Sequence, residues 1–390
     1  MIELKDMSRI NIFGDFCIKG AKSLCVAENL KGALHDGALN VVNFEAPVRV
    51  QEAKGIEKIG PCLCNDDVAP KVLEEAGFNV FTLANNHAMD FGGESLLHTI
   101  SMFKNSTVIG AGTWDEAYRV KTDEVEGKHI GFLGLTHREF GVLTEQHEGA
   151  VGTAWMMHPC MDKLIMDAKQ NVDYLFILPH AGVEHEAYPL PELVTLYRHY
   201  IDMGADGVFA SHPHIPQGWE TYHDKPIFYS LGNFCLDPVE KRERPFLKYG
   251  LMVSVAIEDG QIQTEVHYTK YDHEKKVVSL TNDSFIVDHL EKVNQVMKDE
   301  TAYLKEVNAY CERVLQGSSM AFARGGYYEY NTKTFIKQII RKIIGKREQS
   351  NPNYIINLMQ CESHRWAILR ALRQQAAFKS DFVAFKVQEH

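Results

Sequence analysis

The sequence predicts an α/β or α+β domain over about residues 1–270, followed by a helical region over 271–390. Three observations carry that expectation. Short apolar runs alternate with stretches of helical periodicity as far as Leu231. Asp259-Gly260 sits between two alternating runs within 250–268, a strong signal for a two-residue hairpin. After residue 270 strand signals become few and helical patterning takes over.

Taken in order, residues 9–16 read as a strand ending at Asp15. Residues 38–45 repeat the plan and end in Asn43 and Glu45. A short helix is expected over Asp67–Gly77, with Gly77 as its C-terminal cap. Phe78–Ala84 is a strand running into Asn85-Asn86-His87, and a helix follows from about Gly92 to Lys104. Residues 117–135 suit a hairpin turning at Glu126-Gly127. Met161–Gln170 is helical, and Asp173–Pro179 is a strand ending at His180. Leu190–Met203 is a helix leading into Gly204–Phe209, a small apolar run that reads as a buried strand. A strand over Pro226–Leu231 and the 250–268 hairpin complete the domain. Helices are expected over 286–316 and 353–379.

Between those helices, residues 334–347 place apolar side chains at 335, 336, 339, 340, 343 and 344, on one helical face. Lys337, Arg341, Lys342, Lys346 and Arg347 lie elsewhere on it. Such a basic amphipathic helix suits peripheral contact with an anionic membrane or a partner. A packed helix with a solvated basic face is the plainer reading of the same pattern.

Composition narrows the function. A length of 390 residues allows two domains, or one with an extension. The formal net charge of -11 argues against nucleic acid as a partner. The eight cysteines are scattered, with one CxC at Cys62 and Cys64 and no CxxC, which reads as reduced thiols. The first ten residues hold acids and no long apolar run, so no signal peptide is expected. No stretch approaches the ~18 apolar residues of a membrane span. A cytoplasmic location follows as the expectation, with peripheral contact at the inner membrane face through 334–347.

The chemistry gathers at strand ends. In Ala210-Ser211-His212-Pro213-His214-Ile215-Pro216 the two prolines force the chain out of the preceding strand. The two imidazoles can then turn toward one point, as first-row metal ions require. A His-rich surface loop would read the same way. Asp15, Glu45, Asn86-His87 and His180 end four other strands, however, and such groups converge in the crevice where open α/β sheets bind ligands.

Six motifs then stand in one order over about residues 10–235: Gly14-Asp15, Asn43-Phe44-Glu45, Asn85-Asn86-His87-Ala88-Met89-Asp90, His180-Ala181-Gly182-Val183-Glu184, His212-Pro213-His214 and Ser230-Leu231-Gly232-Asn233-Phe234. This set resembles the CapA-like family of capsule and poly-gamma-glutamate synthesis proteins, a branch of the calcineurin-like metallophosphoesterases. The resemblance implies a four-layer αββα sandwich with two divalent metal ions. Asp15 and His214 would hold the first ion, Asn86, His180 and His212 the second, with Glu45 between them. His87 would protonate the leaving oxygen and Asp90 would orient it. Where the superfamily has the histidine of Asp-x-His, this chain has Cys17, which suits a buried inert thiol better than a ligand.

Mixed oxygen and imidazole donors suit Mn, Fe, Zn or Co. Two such ions roughly 3.5–4 Å apart clamp an anionic oxygen and lower the pKa of water. Arg49, Glu184 and Gln217 are candidates for substrate contact, and surface or packing roles fit them as well. The implied activity is a metal-dependent phosphoesterase-type hydrolase on a small or polymeric phosphoester of capsule or cell-surface polymer metabolism. Amide chemistry on glutamyl chains and a non-enzymatic metal-binding scaffold are the alternatives.

Overall fold

The computed structural model describes residues 9–237, 244–323, 340, 343–344 and 352–376. The chain divides into two compact units, Met1–Tyr303 and Leu304–His390.

The first unit begins with β1 (Arg9–Cys17), β2 (Cys25–Val26), α1 (Glu28–Asp36) and β3 (Gly37–Phe44). Next come α2 (Ala69–Glu75), β4 (Val80–Thr82), α3 (Gly92–Met102), β5 (Thr107–Ile109), β6 (Ala111–Thr113) and α4 (Trp114–Ala117). The middle holds β7 (Lys121–Val125), β8 (Lys128–Thr136), β9 (Val142–Leu143), β10 (Val151–Ala154), α5 (Met161–Lys169), β11 (Tyr174–His180) and α6 (Pro191–Asp202). It continues with β12 (Gly207–Phe209), β13 (Trp219–Tyr222), β14 (Lys225–Phe228) and β15 (Asn233–Leu236). A long hairpin, β16 (Tyr249–Glu258) and β17 (Gln261–Asp272), leads to β18 (Val277–Thr281) and α7 (Ser284–Met297).

One large sheet runs β2-β18-β17-β16-β1-β3-β4-β5, with β15 also paired to β1. A second runs β13-β14-β12-β11-β8-β7, and β6-β10-β9 form a small third. One apolar core joins Ile10, Ile12, Val41 and Val253 of the first sheet to Phe132, Phe176, Phe209 and Phe228 of the second. Another core sets Phe13, Phe44 and Phe81 of the first sheet against Leu30, Leu73 and Leu96 of α1, α2 and α3. Helices α5 and α6 lie on β11 and β12. The layers are therefore helix, sheet, sheet, helix, as the resemblance implied. Truncating Phe176, fully buried at the centre, would cost about 3–5 kcal/mol.

The local reasons are visible. β11, YLFILPH, is buried along its whole length, so it reads as a continuous apolar run rather than an alternation. Asp259 and Gly260 both have positive φ, 49° and 80°, the twist that suits a two-residue hairpin. Gly77, at φ 104°, follows α2 where a left-handed residue ends a helix. In α7, Ile286, Leu290 and Val293 recur at helical spacing and are buried. Ile286 and Leu290 join the core between the sheets, so the first unit extends well beyond residue 270.

Helix α8 (Glu300–Ala323) begins in the first unit, and the second unit also holds α9 (Pro352–Gln360) and α10 (Glu362–Gln375). The amphipathic helix expected over 334–347 lies outside the described residues, apart from Ile340, Ile343 and Ile344, which are exposed. Among the described residues no helix is long and apolar enough to cross a membrane.

Candidate metal centre

The site is built where strands of both large sheets end. Gly14 lets β1 meet the next segment. A Cβ there would stand 1.8 Å from the Gly232 carbonyl oxygen, so only glycine fits. The Asp15 amide donates to that same oxygen at 2.9 Å, and the strand register shifts at this point. Asp15 is thereby turned into the crevice, fully buried.

Glu45 follows β3. Its amide donates to the Phe16 carbonyl, and the next residue, Ala46, takes a left-handed φ of 72°. Asn65 Nδ2 donates to the carbonyl oxygens of Glu45 and Ala46, which pins the turn. Asn85 supports it from the β4 end, donating to the Phe44 carbonyl at 3.0 Å. His212 and His214 also have positive φ, 101° and 61°. Backbone held this far from its preferred region costs of order 1–3 kcal/mol per residue and persists where surrounding structure over-determines it.

Two donor groups result. In the first, single ligand atoms of Asp15, Glu45 and His214 all lie within 4.8 Å of one another. Asp15 Oδ2 is 3.3 Å from His214 Nδ1, and His214 Nε2 is 3.7 Å from Glu45 Oε1. In the second, His180 Nε2 lies 3.1 Å from both Asn86 Oδ1 and His212 Nδ1. The same nitrogen is 3.9 Å from Glu45 Oε1, so Glu45 faces both groups.

Glu45 supplies the test of whether these residues fit cations. It is 0% exposed, and neither carboxylate oxygen has a hydrogen-bond partner. Burying a carboxylate without a donor or counter-charge is strongly unfavourable. Three imidazole Nε2 atoms surround Oε1 at 3.7 Å (His214), 3.9 Å (His180) and 4.0 Å (His87). These gaps are too wide for hydrogen bonds. They are near the ~3.5 Å that separates two ligands sharing one ion at bonds of about 2.1 Å. Oxygen and imidazole donors of this kind fit divalent first-row ions.

Electrostatics agree. Burial pushes the Glu45 carboxyl up to about 8 in the absence of a cation. Burial pulls His180 down to about 3, which leaves its imidazole neutral, the form that ligates. Asp15 is also penalised by burial, but His214, His180 and Asn43 outweigh that and hold it below the usual carboxylate value.

Three neighbours orient the donors. Asn43 Nδ2 donates to Asp15 Oδ1 at 2.6 Å and stands 3.1 Å from His180 Nδ1, so it touches both groups. Asn233 Oδ1 is 3.1 Å from His214 Nδ1. Asn86 Nδ2 donates to Glu139 Oε2 at 2.9 Å, which turns its oxygen toward His180. His137 is fully buried, with its ring centroid 4.4 Å from that of His212.

His87 presents Nε2 to Glu45, while its Nδ1 lies 2.6 Å from Asp90 Oδ2. Lys58 pairs with Asp90 Oδ1 and lies 3.0 Å from His87 Nδ1. Cys17 is buried, and burial pushes its thiol well up, which keeps it protonated. Of the residues expected to touch substrate, Arg49 is exposed, with its guanidinium over the Phe91 ring. Glu184 is half exposed, 3.8 Å from His185 Nε2. Gln217 is buried, and its Nε2 donates to the Glu186 carbonyl at 2.7 Å.

Several of these residues escaped the sequence reading. Asn43 and Asn233 lie inside motifs it used, as neighbours of other positions. His137 directly follows β8, the same strand-end signal that marked His180. Lys58 lies in an irregular stretch with no periodic signal.

Known proteins resemble this chain in the part that carries the site from Glu45 to Asn233; Asp15 precedes the segment matched by the family model. Residues 21–238 match the family model described as "Bacterial capsule synthesis protein PGA_cap". The capsule biosynthesis protein CapA of Bacillus anthracis is 32% identical over 207 residues, 50% of this chain and 49% of that protein. The PGA biosynthesis protein CapA of Bacillus subtilis is 32% identical over 207 residues, 52% of this chain and 54% of that protein. The chain thus spans about half the length of the curated relatives it matches. A solved structure from Staphylococcus aureus, provisionally named a 5'-nucleotidase, aligns with 14% identity and a TM-score of 0.42, covering 73% of this chain and 58% of that one. With the matched segment covering more than half of its residues, the chain belongs to the bacterial capsule synthesis protein PGA_cap family.

Proposed function

We propose that this chain is a metal-dependent phosphoesterase-type hydrolase acting in capsule or cell-surface polymer metabolism. The observation that carries the reading is Glu45: a buried carboxylate without a hydrogen-bond partner, ringed by three imidazole nitrogens, with Asp15 beside them. Asp15, Glu45 and His214 would hold one divalent cation, and Asn86, His180 and His212 with Glu45 a second. Bound there, such ions supply Lewis-acid polarisation of an ester oxygen and lower the pKa of water.

The chain's own contribution is orientation and proton delivery. Asn43 fixes Asp15 and His180 at once, and Asn233 fixes His214. Asn233 Oδ1, an acceptor, locks the His214 ring and raises the basicity of its other nitrogen, whereas Asn43, a donor, holds Asp15 and His180 in place. Asp90 accepts from His87 Nδ1, so the doubly protonated imidazolium carries a second proton on Nε2 to give to the departing oxygen, returning to the neutral Nδ1–H ring. The His87 side chain is 10% exposed, so the ring is not wholly sealed from solvent.

The test is hydrolysis of phenyl phosphate, an aryl phosphate whose leaving group needs a proton, by protein stripped with a chelator and resupplied with Mn. Activity should depend on the added ion and fall about 10²-fold or more in His87→Ala. A His87→Ala chain with full metal-dependent activity would refute the proton-donor assignment. Poly-glutamate cleavage in place of phosphoester cleavage would move the reading to amide chemistry.

A further inference from the structure

Lys58 lies in the irregular stretch between β3 and α2, and its side chain is 3% exposed. A buried ammonium is costly unless paired, and this one is paired. Nζ binds Asp90 Oδ1, lies 3.0 Å from His87 Nδ1, and stands 5.6 Å from the centroid of the Phe140 ring. Asp90 is fully buried. Its other oxygen, Oδ2, accepts from the Leu63 amide at 2.7 Å and meets His87 Nδ1 at 2.6 Å.

The geometry therefore defines a clamp. An ammonium group has donors only, so it can grip the carboxylate but cannot take the Nδ1 proton. With Lys58 on Oδ1 and Leu63 on Oδ2, the carboxylate cannot rotate, and one lone pair is kept on His87 Nδ1. Lys58 sits at the Nδ1 edge of the imidazole, whereas Glu45 faces Nε2. It is thus placed to hold the ring and not to touch substrate.

We propose that Lys58 is the positioning residue for His87, fixing Asp90 so that Nε2 points into the metal centre. The inference rests on the reading of His87 as proton donor. Nothing in the chemistry of the two donor groups requires a lysine at this place, and its burial beside a second buried charge calls for a role.

The test pairs kinetics with spectroscopy on the full chain. Wild type, Lys58→Met, Lys58→Arg and His87→Ala are compared on phenyl phosphate, whose leaving group needs a proton, and 4-nitrophenyl phosphate, whose leaving group needs little help. Lys58→Met should lower kcat on phenyl phosphate roughly 30-fold and on 4-nitrophenyl phosphate less than about threefold, a fraction of a full general-acid loss. Bound Mn and KM should stay unchanged, Lys58→Arg should recover most of the rate, and Lys58→Met should add no loss in a His87→Ala background.

Independently of activity, the His87 Nδ1 proton, assigned by its absence in His87→Ala, should give a slowly exchanging downfield NMR signal that Lys58→Met abolishes. Lys58→Gln serves if the methionine variant does not fold. Equal losses on both substrates, or an unchanged Nδ1 proton signal, would overturn the proposal. A wild-type chain without metal-dependent phosphatase activity would sink the hydrolase reading instead, and the NMR comparison would still decide the role of Lys58.

Discussion

The two donor groups of the site are built from different chemistry. Asp15, Glu45 and His214 bring two carboxylates, whereas Asn86, His180 and His212 are neutral when they ligate. Without a cation the first group holds a proton instead: burial raises Glu45, and against burial Glu45 and Asp15 raise His214 to about 10. In the second, His180 Nε2 lies 3.1 Å from both the Asn86 oxygen and the nearest His212 nitrogen. A cation on the first side would displace the His214 proton between two carboxylates, whereas on the second it would meet neutral donors. Glu45 faces both groups, and Asn43 touches a ligand of each from behind.

Substitutions can break that comparison. Glu45→Gln should have the largest effect, because it removes the shared charge. Metal analysis should show both ions lost, with activity falling by more than the 10–100-fold typical of an outer partner. Retention of one tightly held ion would mean that Glu45 is not shared. Asn43→Ala should come next, weakening both ions by 10–100-fold in titrations with Mn. Asn233→Ala should weaken one ion by a similar factor and leave the second in place. A uniform loss would show the groups to be coupled.

Added Mn at about 100 times its dissociation constant should stabilise the fold by about 2.7 kcal/mol and raise Tm by several degrees in wild type. The same addition should do little in Glu45→Gln. Cys17→Ala should have the smallest effect, changing metal affinity less than about threefold. A larger loss would make the thiol a ligand.

Much of this was legible in the sequence because strand ends announce themselves. An apolar run followed at once by Asp15, Glu45, Asn86, His180 or His212 carries both the fold and the chemistry in one short segment. The layered order of the sheets was not legible from patterning. It depends on β15 returning to pair with β1, a contact more than 200 residues apart in sequence that rested on the family resemblance. Helix α1 escaped because ENLKGALHD buries only Leu30 and Leu34, too short a stripe to register. Lys58 escaped for a deeper reason. Its neighbours His87 and Asp90 are about thirty residues away, and nothing local constrains a loop lysine to be buried.

The left-handed backbone at His212 and His214 has a consequence for how the chain breathes. The His212 amide is tied at 3.3 Å to Asp15 Oδ2, an oxygen that a cation would also claim. Removing the ion leaves two strained residues whose tether, Asp15 Oδ2, is then shared between the His212 amide and His214 Nδ1. Amide hydrogen exchange should therefore quicken first at Ser211–Ile215 when Mn is withdrawn, while β8 and β11 stay protected. The turn that carries the two histidines would then report, by its own opening, whether the centre is filled.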